Sequence, residues 1–217
     1  MKKRRTLISG LKFYPLTPQR WKDFEKLFGE RGACGGCWCM WWRLSKTKFN
    51  QQKGNRNKLA MKKLVNLRQI PGILAYIEDE PIGWCSIGPR ESYSALIRSR
   101  FLTKILEEEN DKPIWSIVCF FVDKKFRNQG LSVKLIQAAV EFAKKNKAKI
   151  VEAYPKEPNI RWADSFLWTG HISVFKRAGF VETRRPSPSR PIMRYFISRK
   201  RKQKGVNYGK TNCCLRN

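Results

Sequence analysis

Apolar residues recur along the chain at two spacings, which predict strands and helices in alternation. Helical spacing predicts a helix running from Pro18 to Phe28 behind a Thr17 cap, a second from an Asn55 cap to residue 67, and helices at 131–145 and 172–177. In the second helix we expect Leu59, Leu64 and Leu67 to share one face. Apolar runs predict strands at residues 8–16, 73–78, 81–88, 113–122, 148–154, 181–183 and 192–197.

The order of these elements predicts an α/β fold. Residues 73–78 and 81–88 are separated by a short acidic turn and therefore predict a hairpin. The nearly unbroken apolar run at 113–122 indicates a strand buried on both faces. Because an amphipathic helix and another strand follow, we expect a right-handed parallel crossover. Residues 1–198 would form one domain, and the basic residues 199–217 would form a disordered extension.

The net charge of +29, from 46 basic and 17 acidic residues, indicates an anionic partner. Basic residues are spread along the chain, so an enzyme with a phosphate-bearing substrate is favoured over a specific nucleic-acid binder. Weak nucleic-acid contact through the basic surface and the extension stays open. No window approaches the ~20 apolar residues of a membrane helix. The N-terminus is basic, but its apolar run is broken by Gly10 and Lys12 and no small-residue cleavage site follows, so we expect a cytoplasmic protein and no signal peptide.

Three cysteines, Cys34, Cys37 and Cys39, are spaced closely enough to suggest a zinc site. A structural zinc site usually has four Cys or His ligands in two pairs, and His171 is the one histidine of the chain. We therefore expect no metal and small buried thiols beside tryptophans. Cys119, within the apolar run, is expected to be an inert core thiol, and His171 to have a surface or structural role.

The segment FVDKKFRNQGLSVKL, residues 121–135, joins the buried strand to the amphipathic helix. The first N–H groups of a helix lack internal partners and carry partial positive charge. Gly130 would let the backbone approach an anion, and Arg127 adds a charge at the same end. The dinucleotide-binding and P-loop patterns are absent. The loop alone thus fits either a simple strand-to-helix turn or a phosphate cradle.

Two motifs in this order resemble the GNAT superfamily of N-acetyltransferases. RNQGLS at 127–132 resembles its acyl-CoA-binding motif, Arg or Gln, two residues, Gly, any residue, then Gly or Ala; Ser132 departs at the last position. VFKRAGF at 174–180 resembles the second signature, an aromatic on the last helix followed by Gly-Phe. The resemblance covers about residues 8–197 and is strongest to uncharacterised bacterial members with a CWCMWWR-like segment.

The resemblance implies a mixed central sheet, flanked by helices, whose parallel strands 113–122 and 149–154 splay apart around acetyl-CoA. Its pantetheine arm would pair with the backbone of Phe120, Phe121 and Val122. The pyrophosphate would be held by residues of the motif, namely Arg127, Asn128, Gln129, Gly130, Leu131 and Ser132. Phe175, also at the cofactor, stands where many members carry a Tyr that protonates the departing thiolate.

With that Tyr replaced, Glu152 as general base and Tyr154 as general acid are the substitutes, because both lie on one face of their strand. The alternative is a carboxylate in a salt bridge and a packed Tyr. Trp38, Trp41 and Trp42 lie where the family builds its acceptor wall; core packing is the alternative. The resemblance thus predicts direct acetylation of a primary amine, on a small molecule or a peptide. A non-catalytic acyl-CoA or nucleic-acid binding module on the same fold is the alternative.

Overall fold

The computed structural model describes residues 10–99, 113–157 and 167–197. The strands in these ranges are β1 (Leu11–Pro15), β2 (Gly72–Ile77), β3 (Glu80–Pro89), β4 (Ile114–Val122), β5 (Ile150–Ala153), β6 (Val181–Ser187) and β7 (Arg190–Phe196). The helices there are α1 (Trp21–Phe28), α2 (Lys46–Gln51), α3 (Asn55–Asn66), α4 (Ser94–Ile97), α5 (Leu131–Lys145) and α6 (Ile172–Arg177). The extension predicted for residues 199–217 lies outside the described residues.

All seven strands of the described ranges form one sheet, in the order β1-β2-β3-β4-β5-β7-β6. Only β4 and β5 are parallel neighbours, and they pair from Ile114 to Ile117 of β4. Beyond this point β4 continues to Val122 while β5 ends at Ala153, so the two strands separate. A register shift against β3 leaves Val118 as an extra residue at the same place. The predicted mixed sheet with splayed parallel strands is confirmed.

Both faces of β4 are covered, as its apolar sequence predicts. Ile117 belongs to the cluster formed with α5 on one face. Phe121 packs against the aromatic cluster of α1 on the other face, with its ring centroid 5.5 Å from that of Phe28. Gly83 lets α5 approach the sheet, because a Cβ there would lie 3.1 Å from the Leu135 side chain.

The predicted helix at Pro18 begins as a 3₁₀ turn, and the Thr17 side chain makes no capping hydrogen bond. Helix α2 was not predicted, because it is polar apart from Phe49, which is buried. Its start does carry a local signal, since the Ser45 hydroxyl accepts a hydrogen bond from the Lys48 N–H at 3.3 Å.

The leucine face predicted for helix α3 is not the buried face of that helix. Leu59 and Leu67 are exposed, and the buried residues are Asn57, Met61 and Val65. The Asn57 side chain donates a hydrogen bond to the backbone oxygen of Gly36 at 3.1 Å. This bond to the cysteine-rich segment turns the Asn57 face inward, which the leucine spacing does not reveal. Gly54 occupies the cap position, and Asn55 is the first helical residue.

Candidate active site

One cavity of about 1150 Å³ opens where β4 and β5 separate. It is bounded by the end of β4, the loop before α5, residues 33–42 and residues 167–171. The motif that resembles an acyl-CoA site and the aromatic segment expected to bind the acceptor therefore face one space. A long cofactor and a second substrate can meet in a cavity of this size.

The loop before α5 is held in place by its own side chains. The Asp123 carboxylate accepts a hydrogen bond from the Lys125 N–H at 2.8 Å, and the Gln129 side-chain amide donates to the Lys125 carbonyl at 2.8 Å. Arg127 Nε donates to the carbonyl of Val122 at 3.1 Å and so ties the loop to the end of β4. Asn128 adopts a left-handed conformation with φ of 60°. These contacts within the protein fix the conformation of the loop.

Helix α5 begins without a side-chain cap. Its cap residue is Gly130, with φ of 84°, and the Gly130 carbonyl accepts from the Val133 N–H at 3.1 Å. The amides of Leu131 and Ser132 precede the first helical bond and have no helical acceptor by geometry. A Cβ built on Gly130 would meet no atom within 4 Å. These residues fit an approaching phosphate group, as the motif implies.

One backbone N–H on the open edge of β4 already has a hydrogen-bond partner. The Phe120 N–H donates to the carbonyl of Trp168 at 2.7 Å, so it points away from β3. Val122, two residues further, presents its N–H on the same side because strand backbones alternate. A cofactor arm can pair at Val122 directly, whereas pairing at the Phe120 N–H would require displacing Trp168. Phe121 also borders the cavity.

Phe175 lies beneath the cavity and does not line it. The side chain is fully buried, with ring centroids 5.8 Å from Phe120 and 5.2 Å from Phe180. The ring also restricts the segment above it, because a Cβ on Gly170 would lie 3.0 Å from Phe175 while the φ of Gly170 is 80°. Phe175, at the position where many family members have their acid, therefore packs beneath residues 167–171 and supports them.

Glu152 and Tyr154 are 0% and 1% exposed, and neither lines the cavity. The Glu152 carboxylate accepts from Arg194 Nε at 2.7 Å and from the Tyr154 hydroxyl, and it lies 3.7 Å from Arg90. Tyr154 is also 3.1 Å from the Ser116 hydroxyl. Burial and the Glu152 charge raise the pKa of Tyr154 well above its ordinary value.

The structure does not bring Glu152 and Tyr154 to the place where an amine could meet a thioester. Their surroundings match the alternative of a salt-bridged carboxylate and a packed tyrosine. Ser116 and Glu152 are register partners, so the network fixes β4 to β5 just before the strands separate. A catalytic role for these two side chains stays a prediction, and the geometry favours a positioning role.

The three tryptophans of the predicted acceptor wall divide into two groups. Trp38 is buried, stacks on Phe28 at 5.8 Å between centroids, and lies outside the cavity lining. Trp41 and Trp42 line the cavity together with Trp168, whose ring centroid is 6.4 Å from Trp41 and 5.8 Å from Trp42. Trp168 was missed because it lies in a loop with no apolar periodicity. We refer to Trp41, Trp42 and Trp168 as the tryptophan wall of the cavity, and its use by an acceptor stays a prediction.

Four cysteines border the same cavity: Cys34, Cys37, Cys39 and Cys119. Hydrogen bonds from the Cys119 thiol and from Trp84 Nε1, 3.3 Å from the sulfur, lower the pKa of Cys39 to about 7. Burial raises the pKa of Cys37 to about 11. In the ranges that the structure describes, no group of three or more Cys, His, Asp or Glu side chains is arranged to hold a metal.

The cavity is thus lined both by the end of β4 and by the uncapped start of α5. A family model described as the acetyltransferase (GNAT) family matches residues 38–166, which is more than half of the chain. The protein belongs to the GNAT acetyltransferase family, whose members use acetyl-CoA as the acyl donor. None of the helices in the described ranges is long and apolar enough to cross a membrane.

Solved structures share this fold at low sequence identity. A GNAT-family acetyltransferase from Listeria monocytogenes 4b F2365 is 12% identical, with a TM-score of 0.53, and the match covers 86% of this chain and 95% of that one. The NatC complex bound to Gag peptide and CoA is 11% identical, with a TM-score of 0.50, covering 87% and 99%. Drosophila melanogaster polyamine N-acetyltransferase is 11% identical, with a TM-score of 0.51, covering 86% and 100%. A comparison with curated protein sequences finds no match.

Proposed function

We propose that this protein is an N-acetyltransferase that transfers the acetyl group of acetyl-CoA directly to a primary amine. The observation that carries the proposal is that the uncapped start of α5 and the tryptophan wall border one cavity. The amine nitrogen forms a bond to the thioester carbon, the carbon–sulfur bond breaks, and CoA leaves as the thiolate. The amine proton passes to a base, and the thiolate takes a proton.

The chain can assist this reaction with its backbone. Beyond the last pair with β5, the Val122 N–H lies on the open side of β4, while the Phe120 N–H is bound to the Trp168 carbonyl; the extra residue Val118 lies where the pairing with β5 ends. A backbone N–H aimed at the thioester oxygen stabilises the negative charge that develops during attack. The fixed network of Ser116, Glu152 and Tyr154 would hold this part of β4 in position.

A proton acceptor must lie within reach of the amine, directly or through a water. His171 borders the cavity, and its Nδ1 is buried with no hydrogen-bond partner in the described part of the chain. We assign His171 this role, with Glu152 and Tyr154 as the earlier candidates. If His171 is the base, His171→Gln lowers kcat while the KM for acetyl-CoA changes little. An unchanged kcat would contradict the assignment.

The proposal is tested by measuring CoA release from acetyl-CoA across classes of amines: amino acids, peptide N-termini, lysine-containing peptides, amino sugars, arylamines and polyamines. Mass spectrometry then identifies the acetylated product. Release with at least one class supports the proposal. Bound acetyl-CoA with no release in any class would favour the alternative of a non-catalytic binding module. A cytoplasmic location, predicted from the sequence, belongs to the same proposal.

A further inference from the structure

The charged residues around the cavity are all cationic in the part of the chain that the structure describes. They are Lys53, Arg127, Lys156, Arg177 and Arg190, and no Asp or Glu is among the lining residues of that part. Among these described residues a polycationic amine would meet like charges and no carboxylate to bind it. The electrostatics of the cavity therefore select against polyamine-like acceptors.

Two of these cations are partly or wholly removed from water at one end of the cavity. Lys156 is 3% exposed, and Arg190 is half-buried with its Nη1 atom buried and without a hydrogen-bond partner in the described ranges. Burial and the nearby charge of Arg190 both lower the pKa of Lys156, and burial lowers that of Arg190. A buried guanidinium nitrogen without an acceptor is costly, and an anion would offset that cost.

The chain places this cationic pair next to the tryptophan wall. The Lys156 N–H donates to the carbonyl of Gly170 at 2.9 Å, and the Lys156 carbonyl accepts from the Ile172 N–H at 3.3 Å. The same short segment contributes Trp168, whose carbonyl accepts from the Phe120 N–H on β4. The segment 167–172 thus connects the open edge of β4, the aromatic wall and Lys156.

We propose that the acetyl acceptor is an amine that also bears an anionic group, a carboxylate or a phosphate, which binds to Lys156 and Arg190. This inference rests on the proposed function. The body of the acceptor lies against Trp41, Trp42 and Trp168, which suits a ring or hydrocarbon. The amine then points toward the split between β4 and β5, where the thioester enters. CoA phosphates bind separately, at the start of α5.

The test compares matched acceptors that differ in the anionic group: glucosamine 6-phosphate with glucosamine, and tryptophan with tryptamine, plus spermidine as a polycation. We expect kcat/KM to be roughly 10- to 100-fold higher for the anionic member of the preferred pair, as for a charge-assisted hydrogen bond. The two pairs separate a phosphate from a carboxylate. Preference for the member that lacks the anionic group, or for spermidine, would overturn the proposal.

Variants locate the anion site. Arg190→Gln and Lys156→Gln should raise KM roughly 10-fold or more for the acceptor with the anionic group, and less for its partner without that group. CoA affinity, measured by calorimetry, should change less than twofold. Arg56→Gln is the matched control, because Arg56 is exposed on α3 and outside the cavity lining. If Arg190→Gln weakens CoA binding as much as acceptor binding, the cations serve the cofactor and the proposal is wrong.

Lys156 is buried, so thermal unfolding is measured for each variant. If Lys156→Gln is destabilised, Arg190→Gln, at a half-buried site, decides alone. If no amine is acetylated, glucosamine 6-phosphate and glucosamine are titrated into the CoA-loaded protein. Tighter binding of the phosphate, lost in Arg190→Gln, supports the anion site although the proposed reaction has failed. Equal binding, or none, overturns the anion site.

Discussion

Substitution of Gly130 distinguishes two reasons for a glycine at the start of α5: its left-handed backbone conformation and the access of phosphates to the helix amides. Its φ of 84° is a left-handed conformation, and the space around a Cβ is empty to 4 Å within the protein. Gly130→Ala adds strain of about 1–2 kcal/mol and little bulk. Gly130→Glu adds similar strain, and it also places a carboxylate where the phosphates are expected. Comparison of the two variants therefore isolates the effect of the charged side chain.

The expected difference follows from the amides that Gly130 leaves open. Hydrogen bonds to a charged group contribute about 1.5–3 kcal/mol each, and Leu131 and Ser132 each offer one amide at the helix start. Losing both costs about 3–6 kcal/mol, which corresponds to more than 100-fold in Kd. Gly130→Ala keeps both amides, so its loss of CoA affinity should stay below about 10-fold.

Calorimetric titration with CoA measures both variants against the wild type, which we expect to bind at micromolar concentration. Thermal unfolding serves as the control, because Ala and Glu should lower Tm by similar amounts if they share the backbone strain. Equal loss of CoA affinity in both variants would mean that strain, and not access to the amides, explains Gly130. Wild-type affinity in Gly130→Glu would refute the phosphate cradle itself.

Three further predictions concern the buried network of Glu152 and Tyr154, the Gly170 segment and the cysteines of the cavity. Glu152→Gln should destabilise the protein by about 3 kcal/mol, because it weakens a buried charge network. Tyr154→Phe should destabilise it by about 1 kcal/mol. Loss of turnover at unchanged stability in either variant would instead support a catalytic role for the substituted residue. Gly170→Ala should lower stability by about 2 kcal/mol, from left-handed strain and close packing, and should raise KM for the acceptor; a melting curve equal to the wild type would contradict this. Alkylation of Cys39, followed by mass spectrometry, should rise with pH and level off above its pKa of about 7, since the thiolate is the reactive form. Cys37, with a pKa of about 11, should still be gaining reactivity at pH 9, and acetyl-CoA should slow both reactions.

The β4–loop–α5 unit was predictable because its information is local. The strand is indicated by an apolar run, the loop by polar residues with Gly130, and the helix by amphipathic spacing. The three elements follow one another directly in the chain. Gly130 was expected for the close approach of an anion, and its positive φ is a second reason for glycine there. The hairpin of β2 and β3 has the same local character.

The roles of individual side chains were less predictable, because they depend on distant partners. Period-two spacing places Glu152 and Tyr154 on one face of the strand predicted at 148–154, but it cannot show that Arg90 and Arg194 reach Glu152. Trp38, Trp41 and Trp42 share one segment without periodicity, in which Trp38 turns inward with φ of 46°. Trp168 joins the wall through a bond to β4, which no sequence pattern indicates.

The most direct test of direct transfer is an initial-rate study with acetyl-CoA and the best acceptor varied together, combined with the intact mass of the protein. We predict intersecting reciprocal plots and no acetylated protein when acetyl-CoA is added alone. Parallel plots, with one acetyl group found on Cys39 or Cys119, would contradict direct attack on the thioester by the amine.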